Sequence, residues 1–474
     1  MSEHIIHSDN SANTPVEQKT VDLKSVEKKP VAKFKSKWFR ALSGIPKSAA
    51  QKPKQKQKQQ PKQKQKSKPA TPKSPAAKPE QKHKSRRNAL DKALSRIPVG
   101  SSAVMIAAKG AVVAAALFSL LLLIIVGADL RPSAIVREAR NKQAFLHASG
   151  EGFPVEFSSG KILQASGVKN GTAVLTSTTC TVYDRKGREV SRVNHSLPSP
   201  AMKCAGEFIL LYKELGKTYL LRTVSDTCCE GELKDLILCA AISESGVFAL
   251  VTNGDTNNSK LTVYSPDGKI IHKWKSVGYK ICDVAVSPSG KYIALCGLST
   301  DKGALVSTVI IQKIGVRENI KEIAVENSLI ADIAFSDNAS VVAVADDFAA
   351  NISVGKDEQY IYGYEERQLK GYDIAGNGDI ALVFSTLADG RNASVTVIDS
   401  KCREKTVINT DLTSPYVDLD GGRISLLCQS SVTRYDYKGR LLDSTEVQDD
   451  CQTIFSSCGK LLSRSLMSID AVSR

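Results

Sequence analysis

Residues 284–297 read VAVSPSGKYIALCG, in which two apolar runs flank a short turn of Ser, Pro and Gly. Such runs of Val, Ile, Tyr and Leu are typical of β-strands, and the turn residues allow the backbone geometry of a tight hairpin. Two other stretches follow the same plan: 241–251 (AISESGVFALV) and, without the glycine, 333–345 (IAFSDNASVVAVA). These stretches therefore predict the first hairpin of a repeated β unit.

A second kind of hairpin alternates with the first. It is centred on Tyr-x-x-x-Gly and occurs at residues 182–190 (VYDRKGREV), 263–274 (VYSPDGKIIHKW) and 434–444 (RYDYKGRLLDS). An inner hairpin followed by an outer hairpin makes one four-stranded blade. Residues 150–474 hold about eight such periods of about 40 residues each, which is the spacing of propeller blades. We therefore predict an all-β fold, a seven- or eight-bladed β-propeller.

The predicted blades start near residues 160, 199, 236, 279, 328, 368, 412 and 449. The last of them has only about three strands before the sequence ends. Residues 152–158 (GFPVEFS) supply a strand that would complete it and leave no free sheet edge. A β-sandwich is the alternative fold, but it does not explain the two-hairpin period.

The amino-terminal part of the chain has a different composition. Residues 1–109 contain 26 Lys and Arg against 7 Asp and Glu, whereas the whole chain has 65 and 49. Residues 1–88 are rich in Lys, Gln and Pro and too poor in apolar side chains to form a core. We predict a disordered cytoplasmic tail over 1–88 and a basic juxtamembrane segment over 89–109.

Residues 110–127 read GAVVAAALFSLLLLIIVG, in which Ser119 is the only polar side chain. This length and composition predict a transmembrane helix over 110–129, followed by a stalk over 130–149 and the propeller over 150–474. Basic residues flank both ends of the helix, so the local charge balance does not fix its orientation. The basic tail and the restriction of cysteine to residues 180 onward favour a single-pass cell-membrane protein with its amino terminus in the cytoplasm and its propeller outside.

Two short islands within the basic region repeat a pattern, RALSGIP at 40–46 and KALSRIP at 92–98. Apolar and basic side chains in this arrangement are typical of a short helix on an anionic membrane surface, although two unrelated amphipathic scraps would look the same. The predicted contacts with anionic lipid headgroups are Trp38, Phe39, Arg40, Leu42, Lys92 and Leu94. Few aromatics are interleaved with the charges, which disfavours nucleic acid as the partner.

A candidate ligand site comes from the second connection of four consecutive blades. These connections (252–260, 298–304, 346–352 and 386–393) look longer than the others and are rich in Asp and Asn. They would converge on one rim of the propeller and could hold a cationic peptide, a glycan or Ca²⁺. Ordinary solvated turns would account for the same residues. The predicted rim consists of Asp255, Asp301, Asp346, Asp347 and Asp389.

The sequence contains no recognisable catalytic motif. Only His195 and His272 fall in the propeller, and both have the placement of structural histidines. We find no nucleophile elbow, phosphate-binding loop or dinucleotide fingerprint, and no cysteine spacing typical of a metal site, so we predict no cofactor and no metal. Cysteines such as Cys282 and Cys296 lie in apolar runs, and a two-residue turn at 288–289 would place these two on opposite faces of the hairpin.

Five stretches stand in an order that resembles a known family: residues 201–203, 210–212, 263–274, 284–297 and 305–309. The family is an uncharacterised one of Firmicute proteins with a basic tail, one membrane helix and a WD40-like propeller. The resemblance covers roughly residues 100–474. It implies the topology and the fold, and it implies no activity and no site residue.

The leading hypothesis is a membrane-anchored, extracytoplasmic binding scaffold, not an enzyme, whose ligand is a protein, peptide or glycan. An assembly or signalling adaptor that works through its basic tail is an alternative, which a deletion of residues 1–88 would distinguish. An exported propeller enzyme is a second alternative, and it would need ionisable groups that converge in the central channel.

Overall fold

The computed structural model describes residues 132–158, 160–254, 258–385, 393–410 and 416–472. The predicted tail, juxtamembrane segment and membrane helix lie outside these ranges. Among the described residues, no helix combines the length and the apolar character needed to span a bilayer. The described ranges comprise most of the predicted stalk and the propeller.

The described residues begin with one helix, α1 (Pro132–Leu146), and a short strand, β1 (Val155–Glu156), and their strands form eight antiparallel sheets. The next sixteen strands form blades 1 to 4, and within each blade the strands follow one another from the inner to the outer edge. Blade 1 contains β2 (Ile162–Val168), β3 (Gly171–Thr176), β4 (Thr179–Asp184) and β5 (Glu189–Asn194). Blade 2 contains β6 (Pro200–Ala205), β7 (Phe208–Lys213), β8 (Thr218–Arg222) and β9 (Thr227–Glu232). Blade 3 contains β10 (Ile237–Ile242), β11 (Phe248–Asn253), β12 (Ser259–Tyr264) and β13 (Ile270–Lys275). Blade 4 contains β14 (Lys280–Val286), β15 (Tyr292–Asp301), β16 (Ala304–Lys313) and β17 (Asn319–Glu326).

Blades 5 to 8 continue the pattern. Blade 5 contains β18 (Ile330–Phe335), β19 (Ser340–Ala345), β20 (Phe348–Ser353) and β21 (Gln359–Gly363). Blade 6 contains β22 (Gln368–Ile374), β23 (Ile380–Ser385), β24 (Ala393–Ile398) and β25 (Glu404–Thr410). Blade 7 contains β26 (Val417–Asp420), β27 (Arg423–Cys428), β28 (Ser431–Asp436) and β29 (Leu441–Glu446). Blade 8 contains β30 (Thr453–Ser457), β31 (Lys460–Arg464) and β32 (Ser468–Ala471).

The fourth strand of blade 8 is β1, which closes the ring. It pairs antiparallel with β32 in the register Val155↔Ile469 and Glu156↔Ser468. The fold is thus an eight-bladed β-propeller, and the predicted use of residues 152–158 to complete the last blade is confirmed. Because early and late parts of the chain share one sheet, blade 8 has four strands like the other seven blades.

The core lies between neighbouring blades. The second strands of the blades are largely buried and mostly apolar because both of their faces are covered, as in β7 and β19. Outer strands such as β29 alternate between exposed and half-buried residues because one face meets water. Between blades 2 and 3, the rings of Phe248 and Tyr264 stack with centroids 4.9 Å apart.

The propeller has two distinct faces. The turn face carries the connections between the first and second and between the third and fourth strands of each blade; the loop face carries all other connections. Helix α1 packs on the turn face of blades 1 and 2, where Arg137 lies 2.8 Å from Glu207 and Asn141 donates to the same carboxylate at 2.7 Å. The loop face is on the opposite side and α1 does not cover it.

Candidate binding face

The described part of the predicted rim lies on the loop face of blades 4 and 5. Strand β15 continues to Asp301 and β16 starts at Ala304, and Asp346 and Asp347 form a two-residue turn. The prediction of long connections over 298–304 and 346–352 is therefore wrong, because their polar residues pair in regular β register. Asp255 and Asp389 lie outside the described residues.

The three described aspartates have different roles. Asp346 Oδ1 accepts a hydrogen bond from the Leu329 amide at 2.9 Å, and Asp347 Oδ2 accepts one from Ser328 Oγ at 3.0 Å. Burial raises the pKa of Asp347 to about 6. Asp301 is exposed and makes no ion pair with a described residue. They do not converge on one point, and no group of three potential metal ligands occurs in the part of the chain that the structure describes.

Large apolar side chains are exposed beside these aspartates. Leu215 is 64% exposed, Leu236 40%, Val277 82% and Leu329 42%, and they lie at loop-face connections of blades 2 to 5. We call these four residues the apolar crescent. Leu215 and Leu236 are neighbours, since the Leu215 amide donates to the carbonyl of residue 237 at 3.1 Å. Exposed apolar side chains bordered by charge are typical of surfaces that bind other proteins.

Four further aspartates lie on the inner strands of consecutive blades and were not predicted: Asp283, Asp332, Asp373 and Asp418. Three of them accept a hydrogen bond from a backbone amide of the next blade, those of Ile333 (2.9 Å), Leu419 (2.7 Å) and Ser456 (2.6 Å). Burial raises the pKa of Asp283 and of Asp373 to about 6. These carboxylates join neighbouring blades, so their visible role is structural.

A repeated sequence signal marks these four positions. Each aspartate precedes an apolar residue at the same point of its blade, in DVAV (283–286), DIAF (332–335), DIAG (373–376) and DLDG (418–421). A carboxylate in an inner strand needs a hydrogen-bond donor. Because the aspartate recurs at the same position of each of these blades, the donor is expected in the next blade.

A cavity of about 580 Å³ separates blades 7 and 8 on the turn face. Its lining includes Arg423, Lys460 and Asp420. Both oxygens of Asp418, which also lines it, accept hydrogen bonds from Ser456 at 2.6 Å. Both cationic and anionic side chains line the cavity, so it does not select a ligand by the sign of its charge.

The two histidines have structural partners. His272 Nδ1 accepts from the Gly315 amide at 3.2 Å, and Nε2 lies 3.3 Å from Gln312 Oε1, so a neutral ring satisfies both contacts. His195 Nε2 lies 3.2 Å from the carbonyl oxygen of Thr176, and burial lowers the pKa of this imidazole.

All 11 cysteines are free thiols. The two-residue turn predicted at 288–289 would pair Cys282 with Leu295, and this register is wrong. The hairpin pairs Val284 with Leu295, and a bulge occurs between residues 281 and 283. Cys282 falls in this bulge, and its Sγ lies 3.3 Å from the carbonyl oxygen of Cys296.

Residues 156–470 match the sequence profile described as "Family of unknown function (DUF5711)". The chain belongs to the DUF5711 family. The match covers all of the propeller except β1's first residue and the last residues of blade 8, so this DUF5711 domain and the eight-bladed ring coincide. No curated protein matches the sequence. The Firmicute origin and the single membrane pass that the resemblance implied stay predictions.

Solved propellers are similar to this DUF5711 chain only at the level of overall architecture. They include Saccharomyces cerevisiae Sqt1 (8% identity, TM-score 0.48, 69% of this chain and 100% of that chain). The C-terminal WD40 domain of Sif2 is 13% identical with a TM-score of 0.48, and the match covers 69% of this chain and 100% of that chain. BamB from Moraxella catarrhalis is 10% identical with a TM-score of 0.45, and the match covers 67% of this chain and 99% of that chain. These values carry no argument about function, and the assignment of the fold rests on the strand pairing of the chain itself.

Proposed function

We propose that this chain is a membrane-anchored binding scaffold whose propeller lies outside the cell and holds a protein ligand on its loop face. The apolar crescent is the observation that carries the proposal. Four large apolar side chains project from consecutive blades on the face opposite α1. Full burial of such a side chain contributes about 1.5–3 kcal/mol, and each of the four would gain the share of this that its exposed part allows.

The charges around the crescent indicate the chemistry of the ligand. Asp301 projects from the tip of the β15–β16 hairpin without an ion-pair partner among the described residues, and Asp346 lies beside Leu329. A segment that combines apolar and basic side chains would complement this surface. Among the predicted ligand classes, this combination favours a protein or peptide over a glycan.

Photo-crosslinking from the crescent tests the binding role. The full chain is expressed in the organism that normally makes it, with a benzophenone side chain in place of Val277. We expect a discrete protein adduct. Leu215→Asp with Leu329→Asp should reduce that adduct at least about tenfold, because two buried apolar contacts are lost. The matched control is Ile270→Asp, at a half-exposed apolar position on the outer strand of the same blade as Val277. An adduct unaffected by the crescent substitutions, or no adduct at all, contradicts the proposal.

Insertion of an epitope tag tests the topology. The tip of the β15–β16 hairpin, between Lys302 and Gly303, tolerates an insertion since both residues are exposed and belong to no strand. We expect an antibody to reach this tag in intact cells and to reach a tag at residue 11 only after permeabilisation. The reverse pattern would place the propeller in the cytoplasm and would make an intracellular ligand the target.

A further inference from the structure

Three turns on the turn face repeat the motif Asp-x-Lys-x-Arg. They are residues 184–188 (DRKGR), 399–403 (DSKCR) and 436–440 (DYKGR), each between the third and fourth strands of its blade. In every copy, Oδ1 of the aspartate accepts hydrogen bonds from the backbone amides of the lysine and the arginine, at 2.8–3.0 Å. The arginine closes the turn by pairing with the same aspartate at 2.6–2.7 Å. The lysine is therefore held at the tip of a rigid turn.

The lysines of the three turns and one further lysine lie on the same face of neighbouring blades. Lys186, Lys401 and Lys438 are exposed and make no ion pair with any residue that the structure describes. They belong to blades 1, 6 and 7, and Lys460 of the intervening blade 8 lies on the same face. We call these four lysines the basic arc. The corresponding turn of blade 3 differs, since Lys269 is neutralised by Asp267 at 2.7 Å.

The position of α1 relates this arc to the predicted membrane helix. The predicted membrane helix ends at 127–129, so between two and four residues separate it from Pro132 at the start of α1. A link of four residues reaches at most roughly 14 Å. Ion pairs hold α1 to the turn face, Arg137 with Glu207 at 2.8 Å and Arg140 with Asp226 at 3.2 Å. A membrane anchor at this point would keep the turn face close to the headgroups.

We propose that the turn face lies against the bilayer and that the basic arc contacts the phosphates of anionic lipids. This inference rests on the proposed membrane anchoring, but it holds whichever side of the membrane the propeller occupies, because the anchor and the arc stay on the same face. The attraction decays over a Debye length of about 8 Å at physiological salt, so it requires the short link and the docked helix. The docked propeller presents the apolar crescent away from the membrane.

Lysine footprinting of the full chain tests the orientation. The chain is reconstituted in nanodiscs of phosphatidylcholine, with or without phosphatidylglycerol, and lysine acetylation is quantified by mass spectrometry. We expect the reactivity of Lys186, Lys401 and Lys438 to fall about fivefold in the anionic discs, and that of Lys234 and Lys302 on the loop face to stay unchanged. Equal reactivity of the arc in the two lipids, or protection of the loop face instead, overturns the proposal.

Two controls separate this proposal from its premise. Lys186→Gln, Lys401→Gln and Lys438→Gln together should abolish the slowing of amide exchange in the three turns that anionic discs produce, whereas Lys217→Gln, Lys234→Gln and Lys302→Gln on the loop face should leave it intact. Extraction of cell membranes with alkaline carbonate tests the anchor alone. A chain released by carbonate overturns both proposals, whereas a retained chain with an unprotected arc overturns only the orientation.

Discussion

The aspartates of the inner strands hold neighbouring blades together at the level of single residues. Asp283 has a half-buried side chain that accepts a hydrogen bond from the Ile333 amide at 2.9 Å. Its pKa of about 6 lies above the ordinary value of 3.8, because burial penalises the charged form more than the bond favours it. Folding therefore favours the protonated acid, and this contribution to stability is lost as the pH rises from about 4 through 6.

Asp283→Asn is expected to stabilise the protein at pH 7.5 by roughly 1–2 kcal/mol, since the amide oxygen still accepts the Ile333 bond without a buried charge. Thermal unfolding at pH 4.5 and 7.5 measures this change, and the stability of the variant should depend less on pH than that of the parent. Asp301→Asn, at an exposed position, is the control and should have no effect. A lower melting temperature for Asp283→Asn at pH 7.5 would contradict the assigned role.

Ring closure is decided at the level of elements. Strand β1 has only two residues, and the next amide, that of Phe157, donates to the Met467 carbonyl at 2.8 Å. The Phe157 ring also meets Tyr183 of blade 1 edge-on at 6.1 Å. A short strand thus joins blade 8 to the part of the chain that precedes blade 1, and it adds to the apolar contacts that blades 8 and 1 already share.

Phe157→Pro is expected to open the ring, because proline removes the amide that bonds to Met467 and restricts the backbone. Limited proteolysis should then cleave within blade 8 much faster than in the parent, with a fall in melting temperature. Phe157→Leu keeps the amide and loses only the ring contact, so it should have a much smaller effect. Equal protease resistance of Phe157→Pro and the parent would show that closure does not depend on this strand.

At the scale of the whole molecule, the two faces of the propeller carry different surfaces. The turn face carries α1 and the basic arc, and the loop face carries the apolar crescent. A scaffold of this kind needs its tail only for charge near the membrane, whereas an adaptor that works through its tail needs the tail for function.

Deletion of residues 1–88 should therefore leave the chain in the membrane and preserve the crosslink from Val277. Membrane fractionation and the crosslinking yield, each compared with the full chain at equal expression, provide the measurement. If cells that carry the truncated chain behave like cells that lack the protein although the crosslink is unchanged, the adaptor hypothesis is favoured. The propeller would then be intact but insufficient.

The sequence alone was enough to predict the propeller, its period of two hairpins per blade and the strand that completes blade 8. These features follow from local patterns: the alternation of apolar runs and turn residues repeats at short range and reports which segments are strands. The length of the connections at 298–304 and the register around Cys282 required the structure, since pairing across a hairpin decides both. The structure was also needed to find the apolar crescent, the carboxylates that join the blades and the basic arc. Their members come from different blades, and only closure of the ring brings residues so distant in the chain onto one face.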